Sequence, residues 1–68
     1  MTVRTLLSKF DGSSYEAVKV SEVVNDAWVT LAHTDGASVD TIPTEVLDRE
    51  VTTFGVGDNY TLTIRVGE

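Results

Sequence analysis

Sixty-eight residues with eleven carboxylates, five basic side chains and no cysteine describe one small acidic domain of formal charge −6, spanning 1–68. The acidity argues against direct nucleic-acid binding, which needs a concentrated basic surface. The missing cysteines exclude disulfide staples and thiolate metal sites and fit an intracellular setting.

A chain this short buries roughly 60% of its unfolded surface, so its expected stability is modest, on the order of 3–7 kcal/mol. No apolar run approaches the ~20 residues that span a bilayer. Met1 to Phe10 has one Arg, one Lys and no long apolar stretch, so a signal peptide is not expected there.

Val3, Leu6, Leu7 and Phe10 stand at i, i+3, i+4 and i+7, which predicts a helix over Val3–Lys9 with Thr2 as its N-cap. The Asp11-Gly12-Ser13-Ser14 cluster ends it. Val18, Val20 and Val24 alternate with polar residues and predict a strand that turns at Asn25-Asp26. That turn sets Val24 opposite Ala27, Glu22 opposite Val29 and Val20 opposite Leu31. Val18, Val20, Val24, Val29 and Leu31 then share an apolar face, and Lys19, Val23, Trp28, Thr30 and Ala32 lie on the other.

Thr34-Asp35-Gly36-Ala37 closes the second strand, and Ser38–Thr41 reads as an irregular or extended connector. Pro43 suits the first turn of a short helix ending near Asp48, with Glu45 and Asp48 placed early in it and Val46 and Leu47 as its core anchors. A second hairpin follows. A turn at Gly57-Asp58-Asn59 puts Val56 opposite Tyr60, Phe54 opposite Leu62 and Thr52 opposite Ile64. Phe54 and Val56 then share a face with Tyr60, Leu62, Ile64 and Val66, and Thr53, Thr61, Thr63 and Arg65 take the other. A one-residue slip would set apolar residues opposite polar ones. The expected architecture is α+β: a small antiparallel sheet of two hairpins, an N-terminal helix on one face and a short helical turn between the hairpins.

Catalytic chemistry has little to build on. His33 is the only histidine, at a strand end beside Thr34-Asp35-Gly36, and no serine sits in a Gly-x-Ser-x-Gly setting. One histidine without cysteine cannot make a zinc site. Asp11-Gly12-Ser13 and Asp35-Gly36 lack the spacing of a calcium loop and read as turns. Gly55-Val56-Gly57 is not followed by a helix signal or Lys-Ser/Thr, so it is no phosphate loop. Neither enzyme activity, nor a cofactor, nor a metal is expected.

Two features point to binding. Trp28 lies off the Val/Leu stripe with Val23 and Ala32 beside it, and tryptophan is enriched at interface hot spots; in a small domain such a residue is more often partly buried in the core under the helix. The acidic run Asp35, Asp40, Glu45, Asp48 and Glu50 is interrupted only by Arg49. It is either a solvated surface or a ridge facing a partner. Trp28, Asp40, Glu45, Asp48 and Glu50 are therefore the candidate partner-binding residues. Open sheet edges add a route to a homodimer.

Thr41-Ile-Pro-Thr-Glu-Val-Leu-Asp-Arg-Glu-Val51, with a hairpin ending Tyr60-Thr-Leu-Thr-Ile-Arg-Val66 and the opening Met1–Leu7, resembles a group of short uncharacterised proteins encoded by phages and mobile elements of Firmicutes and gut bacteria. The resemblance covers the two ends; Ser13–Ser38 departs from it. It implies a phage or mobile-element accessory protein in the bacterial cytoplasm and supplies no functional residue. The expected function is non-enzymatic protein–protein binding, in its sharper form acidic inhibition of a host protein with a basic nucleic-acid-binding groove, of the anti-CRISPR type. The alternative is an assembly module that homo-oligomerises through a sheet edge.

Overall fold

The computed structural model describes residues 1–11 and 14–67, with the backbone alone at Asp58. Gly12 and Ser13, in the middle of the first expected turn, lie outside the described residues. The helix α1 spans Val3–Phe10. Its N-cap is Thr2, whose hydroxyl accepts from the Thr5 amide at 3.2 Å, and Val3 and Leu6 are fully buried. Asp11 ends it with a left-handed φ of 42°.

Strands β1 (Ala17–Val24) and β2 (Ala27–Asp35) form the first hairpin. Asn25 and Asp26 both take positive φ, 52° and 64°, the conformation of a type I′ turn whose twist matches that of the strands. Val24 faces Ala27 and Glu22 faces Val29, as the sequence predicts. Beyond Ser21–Thr30 the register slips, and Val20 faces Ala32 instead of Leu31. Leu31 is the extra residue of a β-bulge, which moves Ala32 to the core face and sets Lys19 opposite His33.

Strands β3 (Val51–Gly57) and β4 (Thr61–Val66) form the second hairpin. Its register differs from the expected one by two residues: Gly57 faces Thr61, Val56 faces Leu62 and Phe54 faces Ile64. The cause is Tyr60. Asn59 and Tyr60 are left-handed, with φ of 57° and 54°, so the turn extends through Tyr60. The Tyr60 ring stacks on Tyr15 at 5.0 Å, and its carbonyl accepts from the Glu16 amide at 3.0 Å. An even shift preserves the faces, so Phe54, Val56, Leu62, Ile64 and Val66 still point one way.

The two hairpins meet through β1 and β4 in the order β2-β1-β4-β3. Each hairpin is antiparallel, but the central pair is parallel, with Val18 beside Leu62 and Val20 beside Ile64. The sheet is therefore mixed, not antiparallel throughout. Segment 36–50 is the reason. It carries the chain from one sheet edge to the other and back along the strand direction, so that β2 and β3 run the same way. Short 3₁₀ turns within Gly36–Thr41, kinked at the non-helical Ser38 in the stretch expected to be irregular or extended, and α2 at Thr44–Leu47 build this crossing. Ile42 and Val46 bury beneath it with Val3, Leu6, Val18, Val20, Leu62, Ile64 and Val66.

The α+β plan of an N-terminal helix, two hairpins and a helical turn between them is thus the one that forms. The helices α1 and α2 and the Gly36–Thr41 segment lie on one sheet face, because only that face carries the continuous valine, leucine and isoleucine stripe. Among the described residues, no helix is long and apolar enough to cross a membrane.

Candidate functional site

Residues in register share a face, and alternate residues change face. With Val18, Val20, Leu62 and Ile64 turned into the core, Lys19, Ser21 and Val23 of β1 fall on the uncovered face. So do Trp28 and Thr30 of β2, Thr61, Thr63 and Arg65 of β4, and Thr53, Gly55 and Gly57 of β3. Among the described residues, no layer covers this face.

Trp28 is 65% exposed there, the most exposed of the large apolar side chains. It is held by a cation: the Arg65 guanidinium carbon sits 5.5 Å from the centre of its ring. Arg65 is flanked in register by Ser21 on one side and Thr53 on the other. Ser21 is only 2% exposed although it belongs to the uncovered face, consistent with cover from long neighbours. The indole is therefore neither beneath the helix nor in the core.

Beside this pair runs a groove of about 290 Å³, lined by Trp28, Arg65, Thr63, Thr53 and the Phe54–Gly57 stretch. Glycines at alternate positions leave it open. A Cβ at Gly55 would meet no atom within 4 Å, and one at Gly57 would meet only the Thr63 hydroxyl at 3.6 Å and the Thr61 carbonyl at 3.9 Å. Any larger residue on this face of β3 would fill the space that Trp28 and Arg65 border.

Charge is segregated across the sheet. Arg4 donates to Asp48 at 3.1 Å, and Arg49 donates to Glu22 at 2.6 Å. Lys19 and Arg65, on the uncovered face, make no ion pair among the described residues. A protein of charge −6 thus presents an aromatic, hydroxyl-rich face that carries two cations, Lys19 and Arg65.

The acidic candidates lie elsewhere. Asp40, in the Gly36–Thr41 segment, and Glu45, in the first turn of α2, are exposed and make no ion pair among the described residues. Asp48 is held by Arg4, and Glu50 accepts from the Met1 ammonium at 2.9 Å. Arg49, which interrupts the run, turns inward to Glu22 and to the Gly67 carbonyl at 3.2 Å. The ridge is thus half engaged in internal pairs, and it rides on the segment packed over the covered face, away from Trp28. His33 is exposed opposite Lys19. Among the described residues no three His, Cys, Asp or Glu side chains come together as a metal site.

Sequence reasoning singled out Trp28 but missed Arg65, Lys19 and the two glycines as its surroundings. The signal was present in part: Thr53-x-Gly55-x-Gly57 and Thr61-x-Thr63-x-Arg65 alternate onto the outer face. Their meeting with Trp28 depended on the β1–β4 pairing. Comparison of the chain with protein-family models, curated proteins and solved structures finds no match.

Proposed function

We propose that this protein acts without catalysis, by binding another protein through the uncovered sheet face around Trp28. The observation that carries the reading is an indole two-thirds exposed, fixed by Arg65 at the rim of a groove that Gly55 and Gly57 keep open. Holding a tryptophan in water forgoes the burial that a small domain needs, and a pre-ordered ring loses little entropy on binding. Lys19 and Arg65, which make no ion pair among the described residues, favour a partner segment in which a bulky apolar side chain neighbours a carboxylate. The resemblance at both ends of the chain supports an accessory role for a phage or mobile element in the bacterial cytoplasm. The test is parallel capture from bacterial lysate with the wild-type protein and with Trp28→Ser. A partner retained equally by both proteins contradicts the reading.

A second reading is favoured by the net charge of −6 and by the exposed carboxylates of Asp40 and Glu45. In it the protein is an acidic inhibitor that occupies the basic groove of a host nucleic-acid-acting defence protein, of the anti-CRISPR type. Binding would then weaken steeply with salt and in Asp40→Asn/Glu45→Gln. Affinity indifferent to both would contradict it.

A further inference from the structure

We infer that β3 is the edge along which this four-stranded sheet joins that of a second copy, antiparallel and across a two-fold axis at Gly55. The inference does not depend on the Trp28 face. Strand β3 is the last in the sheet: its first residue, Val51, donates its amide to the Met1 carbonyl at 2.8 Å, and from Thr53 onward its outer N–H and C=O groups have no neighbouring strand among the described residues. From Val51 to Gly57 it contains no charged residue and no proline, the devices that ordinarily blunt an edge. The other edge, β2, is interrupted by the Leu31 bulge and ends in Asp35. The irregularity in β3 lies at its start, between Val51 and Thr53, and leaves Thr53–Gly57 regular.

Charge permits a second copy as the occupant, and the local symmetry of the strand about Gly55 selects it. Two copies of a chain at −6 repel each other, so self-association needs a neutral contact, and β3 supplies one. Its apolar side chains are arranged for the same contact. Phe54 and Val56 are exposed on the helix side of the sheet, and Phe10 of α1 packs against Phe54 at 5.4 Å between ring centres. An axis at Gly55 sets Phe54 of each copy opposite Val56 of the other, and Thr53 opposite Gly57. Gly55 brings no side chain to the axis, and a Cβ there meets nothing within 4 Å in its own protomer. A five-residue strand pairing with these side chains is a small contact for a specific interface, so the dimer is a weak one. Because the axis is perpendicular to the sheet, both Trp28 grooves come to lie on the same side of one extended surface, which would make binding through that face bivalent.

The experiment is sedimentation velocity of the full chain from about 10 to about 500 µM, for the wild-type protein and for Val56→Lys, which adds an edge charge at an exposed position. The wild type is expected to shift to dimer over this range and Val56→Lys to stay monomeric with an unchanged far-ultraviolet spectrum. Gly55→Cys adds a geometric test, since the chain has no cysteine of its own. Directly opposed antiparallel residues have Cα atoms about 4.5–5.5 Å apart, within disulfide range. Under oxidised glutathione, Gly55→Cys should cross-link into a dimer and the helix-surface control Ser8→Cys should not. A wild type that stays monomeric at the highest concentration, a Val56→Lys that still dimerises, or a Gly55→Cys that cross-links no faster than the control each overturns the inference.

Discussion

Replacing Gly55 by valine should strengthen the fold while closing the groove. Gly55 has a negative φ and lies opposite Thr63, with no atom within 4 Å of the position a Cβ would take. The new side chain therefore meets neither backbone strain nor a clash. Glycine within a strand costs about 0.5–1 kcal/mol relative to alanine, and valine stands near the favourable end of a strand-propensity scale that spans ~1 kcal/mol. The site is exposed and on an edge strand, so a net gain of about 0.5–1 kcal/mol is expected. For a domain of this size that raises Tm by about 3–6 °C, measurable by circular dichroism at several scan rates. Gly57→Val is the comparison: its Cβ would already touch the Thr63 hydroxyl at 3.6 Å, and its gain should be smaller. A loss of more than about 1 kcal/mol in Gly55→Val would refute the description of that space as open.

Arg49→Ala should cost about 2 kcal/mol in urea unfolding, because it strips the charged partner from Glu22, whose side chain is only 23% exposed. The double variant Arg49→Met/Glu22→Leu, which leaves no orphaned charge, should lose less than the single one. Asp26→Gly should stabilise by about 0.5 kcal/mol, since glycine removes the Cβ penalty at a φ of 64° in the type I′ turn but adds unfolded-state entropy; a lower urea midpoint would contradict the turn assignment. Arg4→Ala should change stability by less than about 0.5 kcal/mol, because its pair with Asp48 is exposed on both sides.

The parts legible in the sequence were those governed by short-range periodicity. Thr2 capping Val3–Phe10, the turn at Asn25-Asp26 and the division of β3 and β4 into two faces all follow from spacings within about ten residues. The second hairpin's register was misjudged because Tyr60 looks like a strand residue. Its left-handed backbone is stabilised by Tyr15, forty-five positions away by number, and by the hydrogen bond to Glu16. The Leu31 bulge carries no glycine or other local mark. The parallel pairing of β1 with β4 depends on where segment 36–50 delivers the chain, which no local pattern encodes.

The candidate site repeats this division. Trp28 could be singled out as an apolar residue off the core stripe, but its partner Arg65 and the Gly55–Gly57 floor come from strands that meet it only in the assembled sheet. The acidic run was visible as a run, and two of its five carboxylates, Asp48 and Glu50, prove to be tied to Arg4 and Met1, each more than forty residues away in the chain. Composition showed a net negative protein. It could not show that Lys19 and Arg65 share the uncovered face.

The most direct test of the central claim is the affinity of the captured partner, measured by calorimetry for the wild type, Trp28→Ser, Gly55→Val and Asp40→Asn/Glu45→Gln. Truncating a hot-spot tryptophan costs about 2 kcal/mol or more, so Trp28→Ser should weaken binding roughly 30-fold. Gly55→Val should do likewise despite its firmer fold, and the doubly neutralised variant should stay within roughly threefold of wild type. Full affinity in Trp28→Ser and Gly55→Val, with the loss falling on Asp40 and Glu45 instead, would contradict the account and move the contact surface to the acidic segment.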